Sequence, residues 1–154
     1  MSSFTHLAYH IVFSTKYRGR TIHNEFQPRL YEYLGGVIRS RKGHLIEIGG
    51  VEDHVHILAN LSPKFAVSDV VRDIKANGSK WINDQSLCAG KFEWQKGYAA
   101  FAVSCSNVET VRNYLRNQRE HHRIRTFQEE YVAMLNRHGI PFHPEYLFEG
   151  EVCS

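Results

Sequence analysis

The stretch from His44 to Leu61, HLIEIGGVEDHVHILANL, decides how the rest of the chain is read. HLIEIGG and DHVHILANL are two extended runs joined by a short glycine-containing turn, which predicts an antiparallel β-hairpin. A hairpin in mid-chain argues against a doubly wound parallel sheet, where each strand returns through a helix. Side chains alternate along a strand. Val55, Ile57, Ala59 and Leu61 therefore share an apolar face suited to packing under helices, and His54, His56, Leu58 and Asn60 share the other. The two imidazoles point away from the apolar set.

Upstream, FTHLAYHIVFST alternates in the same way, with Leu7, Tyr9, Ile11 and Phe13 opposite His6, Ala8, His10 and Val12. EFQPRLYEYLGGVIRSR shifts to helical spacing through Phe26, Leu30, Tyr33, Leu34 and Val37, with Pro28 near its start. VSDVVRDIKANGSKWIN does so again through Val67, Val70, Val71, Ile74, Trp81 and Ile82, and Gly78 weakens it near its end. FEWQKGYAAFAVS reads as two short extended segments, or one strand bent at Gly97.

Ser106-Asn107-Val108-Glu109 has capping-box spacing and opens a helix through about His122. Thr126-Phe127-Gln128-Glu129 repeats that signal, and the helix it starts ends at Arg137-His138-Gly139, with Pro141 beyond. The element order β-α-β-β-α-β, followed by helices, predicts an α+β, ferredoxin-like antiparallel sheet with helices on one face, plus C-terminal helices. No linker or repeat interrupts the chain. A single domain over residues 1–154 is expected, with a core of about 5–140 and a tail, 141–154, that is loose or docked by its aromatics.

Composition narrows the classes. The 154 residues are 42% hydrophobic, ordinary for a globular domain. No apolar run is long enough to span a bilayer, so no membrane partner is expected and a cytoplasmic protein is. Cys88, Cys105 and Cys153 form no CxxC pair, which speaks against a zinc ribbon or disulfide framework and for small buried thiols. The formal charge is only +3, but basic residues collect in Lys16-Tyr17-Arg18-Gly19-Arg20, in Arg39-Ser40-Arg41-Lys42, at Lys75 and Lys80, and at Arg112, Arg116, Arg119, Arg123 and Arg125. That distribution suits a polyanion.

Imidazoles two positions apart on a strand have Cα atoms roughly 6.5–7 Å apart and can converge on one divalent ion. Two donors leave a site incomplete. VRNYLRNQREHH supplies candidates for the rest. Val108, Val111, Leu115 and His122 mark its buried stripe, and Tyr114 and Gln118 are stacked one turn apart beside it. A tyrosine hydroxyl can attack a phosphodiester and hold the strand as an ester. Its ordinary pKa near 10 means that it needs help at neutral pH, which a Lewis-acidic metal beside the phosphate provides. His121 and His122 stand beside Gln118 as possible third donors.

His54-Val55-His56 within EDHVHIL, then WQKGYAAFAVS, then Tyr114 with Gln118 in VRNYLRNQREHHRIRTFQEE, together with the early YHIVFSTKYR, resemble the single-tyrosine HUH transposases of the insertion sequence 200/605 family. That family includes the REP-associated tyrosine transposases. The likeness runs in order from His6 to RHGI at 137–140. It implies an HUH-endonuclease type of ferredoxin-like fold. It also implies an enzyme that cuts and rejoins single-stranded DNA at mobile-element ends, often beside an imperfect hairpin, through a 5′-phosphotyrosine on Tyr114. By the same resemblance His54, His56 and Gln118 would hold Mg²⁺ or Mn²⁺, and a homodimer is expected. Arg18, Arg20, Lys75, Lys80 and Arg119 are the candidate DNA contacts. The competing readings are a domesticated hairpin-binding protein that does not cut, and a nuclease using activated water that leaves no protein on the strand.

Overall fold

A computed structural model describes residues 2–148. The elements run β1 (Ala8–Ser14), α1 (Gln27–Ser40), β2 (His44–Val51), β3 (His54–Asn60), α2 (Val67–Asp84), β4 (Ala99–Val103), α3 (Val108–Arg116), α4 (Gln118–His121) and α5 (Phe127–Arg137). The strands form one sheet in the order β2-β3-β1-β4, with every neighbouring pair antiparallel. This is the α+β, ferredoxin-like arrangement expected from the central hairpin.

The sheet's alternation sorts its side chains as the sequence indicates. Ile11 and Phe13 of β1 and Val55, Ile57 and Ala59 of β3 pack with Leu30, Leu34 and Ile38 of α1 and Val70, Val71, Ile74 and Ile82 of α2. Each such fully buried side chain contributes about 1.5–3 kcal/mol of transfer free energy, which makes this layer the main source of stability. Gly78 does not interrupt α2. The helix runs through it to Asp84, and a Cβ there would meet Leu34 Cδ2 at 3.0 Å and the Trp94 ring at 3.6 Å. Its missing side chain lets α1, α2 and Trp94 close up.

The opposite face is covered too. Leu115 of α3 packs on Ala8, Leu58 and Val103, while Phe127, Tyr131, Met134 and Leu135 of α5 pack on Val12, Ala99 and Phe101. The C-terminal helices therefore roof the histidine face. The tail is docked as far as it is described: Phe142, Leu147 and Phe148 pack against the α5 cluster. Residues 149–154 of the expected tail, with Cys153, lie outside the described residues.

Local expectations fare unevenly. The hairpin turn is Glu52–Asp53, and Gly49 and Gly50 belong to β2 instead. Thr126 and Glu129 form the expected capping box, and Gly139 takes the positive φ of 66° that ends α5. Ser106 caps nothing: its hydroxyl pairs with that of Ser104, and α3 begins only at Val108 after a short 3₁₀ turn. The single helix expected through His122 is broken at Asn117, whose φ of −102° and ψ of 23° separate α3 from α4. Cys88 is half-buried and Cys105 exposed, so the expectation of buried thiols fails at Cys105. No helix among the described residues is long and apolar enough to cross a membrane.

Candidate metal and nucleophile site

The site is built where β3 meets α3, α4 and α5. His54 and His56 lie on the roofed face of the sheet and are fully buried. Each ring is fixed through its Nδ1. His54 Nδ1 donates to Asp53 Oδ1 at 2.7 Å, and His56 Nδ1 pairs with His10 Nε2 at 2.7 Å. Both Nε2 atoms are thereby aimed into the same interior space, the arrangement that orients imidazole ligands in metal sites.

Three features bring α3 and α4 to that space. Gly49 permits the first, since a Cβ there would lie 2.0 Å from the Leu115 carbonyl oxygen, so the end of α3 rests on bare β2 backbone. Glu47 provides the second by accepting from Arg112 Nε at 3.1 Å and Arg116 Nε at 2.8 Å. The third is the break at Asn117, which turns Gln118 inward to 1% exposure. Gln118 Oε1 accepts from His54 Nε2 at 2.9 Å, and Gln118 Nε2 donates to Glu130 Oε2 at 3.1 Å.

Glu130 of α5 is the centre of the cluster. Its Oε1 lies 2.9 Å from His56 Nε2, 3.1 Å from His122 Nε2 and 3.4 Å from His54 Nε2. Its Oε2 accepts the Tyr114 hydroxyl. Among the described residues, the ligand atoms of His54, His56, His122 and Glu130 all lie within 4.8 Å of one another.

Burial and charge set the protonation states. Burial opposes charge on His54, but hydrogen bonds to Asp53 and Glu130 outweigh it and lift its pKa to about 9. His56 goes the other way, because burial outweighs the pull of Glu130. His10 is also pushed well down, by burial and by the charge of His56. Burial opposes ionisation of Glu130, but hydrogen bonds from His122, His54 and His56 hold it well below the usual carboxylate range. Burial, reinforced by the Glu130 charge, raises the Tyr114 phenol well above its ordinary value.

The donors suit a divalent cation. Two imidazole nitrogens, an amide oxygen and a carboxylate oxygen form a mixed hard and borderline set of the kind that holds Mn²⁺ or Mg²⁺. Tyr114 is half-buried, and with Glu130 and His10 it lines a cavity of about 330 Å³ that Phe101, Val103, Met134, Arg125 and Arg137 also line. Of the site residues, Tyr114 and Glu130 line this cavity, and His54, His56 and Gln118 are buried.

The structure thus brings His54, His56, Tyr114 and Gln118 together within one chain. His122 joins the cluster, whereas His121 lies against the Tyr114 ring, with centroids 4.6 Å apart. The five candidate DNA contacts are engaged with other partners. Arg20 and Arg119 both bond Glu52, Lys80 bonds Asp84, Lys75 donates to the carbonyls of Gln95 and Gly97, and the Arg18 guanidinium stands 5.5 Å from the Phe148 ring centroid.

Sequence reasoning missed Glu130 and required no carboxylate. Its signal was present: Glu130 falls on the apolar stripe Phe127-Tyr131-Met134, where a charge needs a buried partner.

Residues 3–118 match the family described as Transposase IS200 like. The transposase for insertion sequence element IS200 of Salmonella typhimurium (strain LT2) is 27% identical over 118 residues, covering 73% of this chain and 76% of that protein. The ISDra2 transposase TnpA of Deinococcus radiodurans is 23% identical over 120 residues, covering 74% of this chain and 85% of that protein. Among solved structures, a candidate transposase from D. radiodurans aligns with a TM-score of 0.60 at 22% identity, over 77% of this chain and 95% of that one. A REP-associated tyrosine transposase bound to a REP hairpin aligns with a TM-score of 0.61 at 15% identity, over 79% of this chain and 74% of that one. Both share the fold.

Proposed function

Because this chain belongs to the IS200-like transposase family, we propose that it cleaves and rejoins single-stranded DNA at mobile-element or hairpin ends, with Tyr114 as the nucleophile. The observation that carries this reading is the meeting of the Tyr114 hydroxyl with the buried His54–His56–Gln118–Glu130 cluster inside one chain. The Tyr114 hydroxyl oxygen attacks a backbone phosphorus. The new bond is tyrosine oxygen to phosphorus, and the bond that breaks is phosphorus to the 3′ oxygen. One strand leaves with a 3′-hydroxyl, and the other stays on the protein as a 5′-phosphotyrosine. Attack by a 3′-hydroxyl on that ester reverses the step and joins strands without ATP.

The hydroxyl proton of Tyr114 already points at Glu130, so the carboxylate holds the phenol in one orientation. A divalent cation, Mg²⁺ or Mn²⁺, would be held by His54, His56 and Gln118 and would supply Lewis-acid polarisation of the phosphate. His10 and Asp53 keep the two rings turned inward. Arg125 and Arg137, which line the cavity with Tyr114, would present positive charge to the incoming backbone. The partner proposed for this chain is single-stranded DNA carrying an imperfect hairpin, by analogy with the hairpin-bound relative. A homodimer is the proposed assembly.

The test uses labelled single-stranded oligonucleotides carrying inverted repeats from DNA flanking the gene. The wild-type protein is expected to form an SDS-resistant adduct in Mn²⁺, and Tyr114→Phe to form none while still binding the strand. Binding by the wild type with no adduct under any metal would replace this reading with that of a hairpin-binding protein. Free 5′-phosphate with no adduct would indicate activated water instead.

A further inference from the structure

Glu130 lies twelve residues beyond the segment that matches the family, on a helix that could have closed the roof with apolar side chains alone. It is 1% exposed between Phe127, Tyr131 and Met134. Burying a carboxylate in such a stripe is costly unless it meets charge, so its position calls for a reason. Its surroundings supply one. Oε1 faces His56 Nε2 at 2.9 Å and His54 Nε2 at 3.4 Å, and Gln118 Oε1 is 2.9 Å from the same His54 nitrogen. Around a six-coordinate divalent ion with bonds of about 2.1 Å, adjacent donor atoms stand about 3.0 Å apart. These three separations, 2.9, 3.4 and 2.9 Å, are close to those of adjacent ligands in one coordination sphere.

We propose that Glu130 is a metal ligand: its Oε1 completes the donor set of His54, His56 and Gln118, while its Oε2 holds the Tyr114 hydroxyl. The same carboxylate then ties the nucleophile to the metal, and α5 becomes part of the reaction centre instead of a mere roof. A hard, anionic oxygen beside two imidazoles favours Mn²⁺ and Mg²⁺ over softer ions. This rests on the reading of His54 and His56 as metal ligands.

The experiment is Mn²⁺ titration of the purified full chain, without DNA, followed by calorimetry and by loss of the free-ion electron paramagnetic resonance signal. The wild type is expected to bind one Mn²⁺, His56→Ala to lose that binding, and Glu130→Gln, which keeps size and shape, to weaken it at least about tenfold. Glu130→Asp keeps the charge but draws it back by one methylene, and it too is expected to bind more weakly. It serves as the second variant should the glutamine protein fail to fold by circular dichroism. Wild-type affinity in either folded Glu130 variant, with binding lost in His56→Ala, overturns the assignment and leaves the histidine site standing. Wild-type affinity in His56→Ala, or no binding by the wild type, overturns both.

Discussion

The hydroxyl of Tyr114 donates to Glu130, and the two residues come from different helices sixteen positions apart. In the proposed phosphoryl transfer the phenol has to lose its proton while the carboxylate stays ionised. Burial and the adjacent anion both disfavour tyrosinate, so the Tyr114 phenol lies well above its ordinary value. In the metal-free protein the tyrosinate absorbance of wild type minus Tyr114→Phe is therefore expected to stay flat through about pH 11, past the normal tyrosine pKa. Glu130→Gln removes the anion and should bring the onset to lower pH. A difference signal with its midpoint near pH 10 in the wild type would show that the hydroxyl is free of this contact.

A single chain contains every group of the proposed site, so catalysis is expected within one protomer even if two associate. Mixing Tyr114→Phe with His56→Ala should then yield no covalent DNA adduct. If the tyrosine helix instead served a partner's histidines, random exchange between dimers would leave roughly a quarter of the sites with both groups intact. Adduct at that level, from two variants that are each inactive alone, would refute the single-chain site.

Much of this was legible in the sequence because it depends on local period. His54 and His56 share a face because a strand alternates, and Val55, Ile57 and Ala59 took the core side for the same reason. The closing signals of α5 were equally local: Thr126 with Glu129 at one end and Gly139 at the other. What escaped was set by contacts between distant segments. Gly49 reads as a turn glycine but is bare because α3 lies on it, and Gly78 reads as a weak point in a helix but is bare because Leu34 and Trp94 press there. The break at Asn117 turns Gln118 toward His54, sixty-four residues earlier, a partner that no local pattern indicates. Glu130 stands on the apolar stripe of α5, but the histidines that face it come from a distant strand.

Gly49 tests whether the seating of α3 positions Tyr114. An alanine Cβ there would stand 2.0 Å from the Leu115 oxygen and 2.8 Å from its carbonyl carbon, so the end of α3 has to lift. Gly49→Ala is expected to cost about 1–3 kcal/mol in urea unfolding, as overpacking does. It should also slow adduct formation by displacing Tyr114. Gly36→Ala is the control. Its Cβ would find only the Arg39 side chain at 3.7 Å, within α1, so it should be neutral or stabilise by up to about 1 kcal/mol. Equal stabilities for the two variants would show that α3 does not rest where the structure has it.

Glu52 bears on stability and on two of the candidate DNA contacts. It accepts from Arg20 at 3.0 Å and from Arg119 at 3.1 Å. Partial burial works against its charge, but the backbone amide and the two guanidiniums outweigh this and lower its pKa to about 2. A carboxyl lowered on folding contributes stability that is full above its unfolded value, near 4.5, and is lost as pH falls toward 2. Glu52→Gln should therefore be less stable than the wild type by about 1 kcal/mol at pH 7, with the gap closing between about pH 4.5 and 2. The same change leaves Arg20 and Arg119 without an anionic partner. If these arginines reach the DNA backbone, Glu52→Gln should bind single strands more tightly, and each added phosphate contact should steepen the salt dependence by about 0.7. A variant that loses stability with no change in the salt slope would assign both arginines to holding the hairpin turn rather than to DNA.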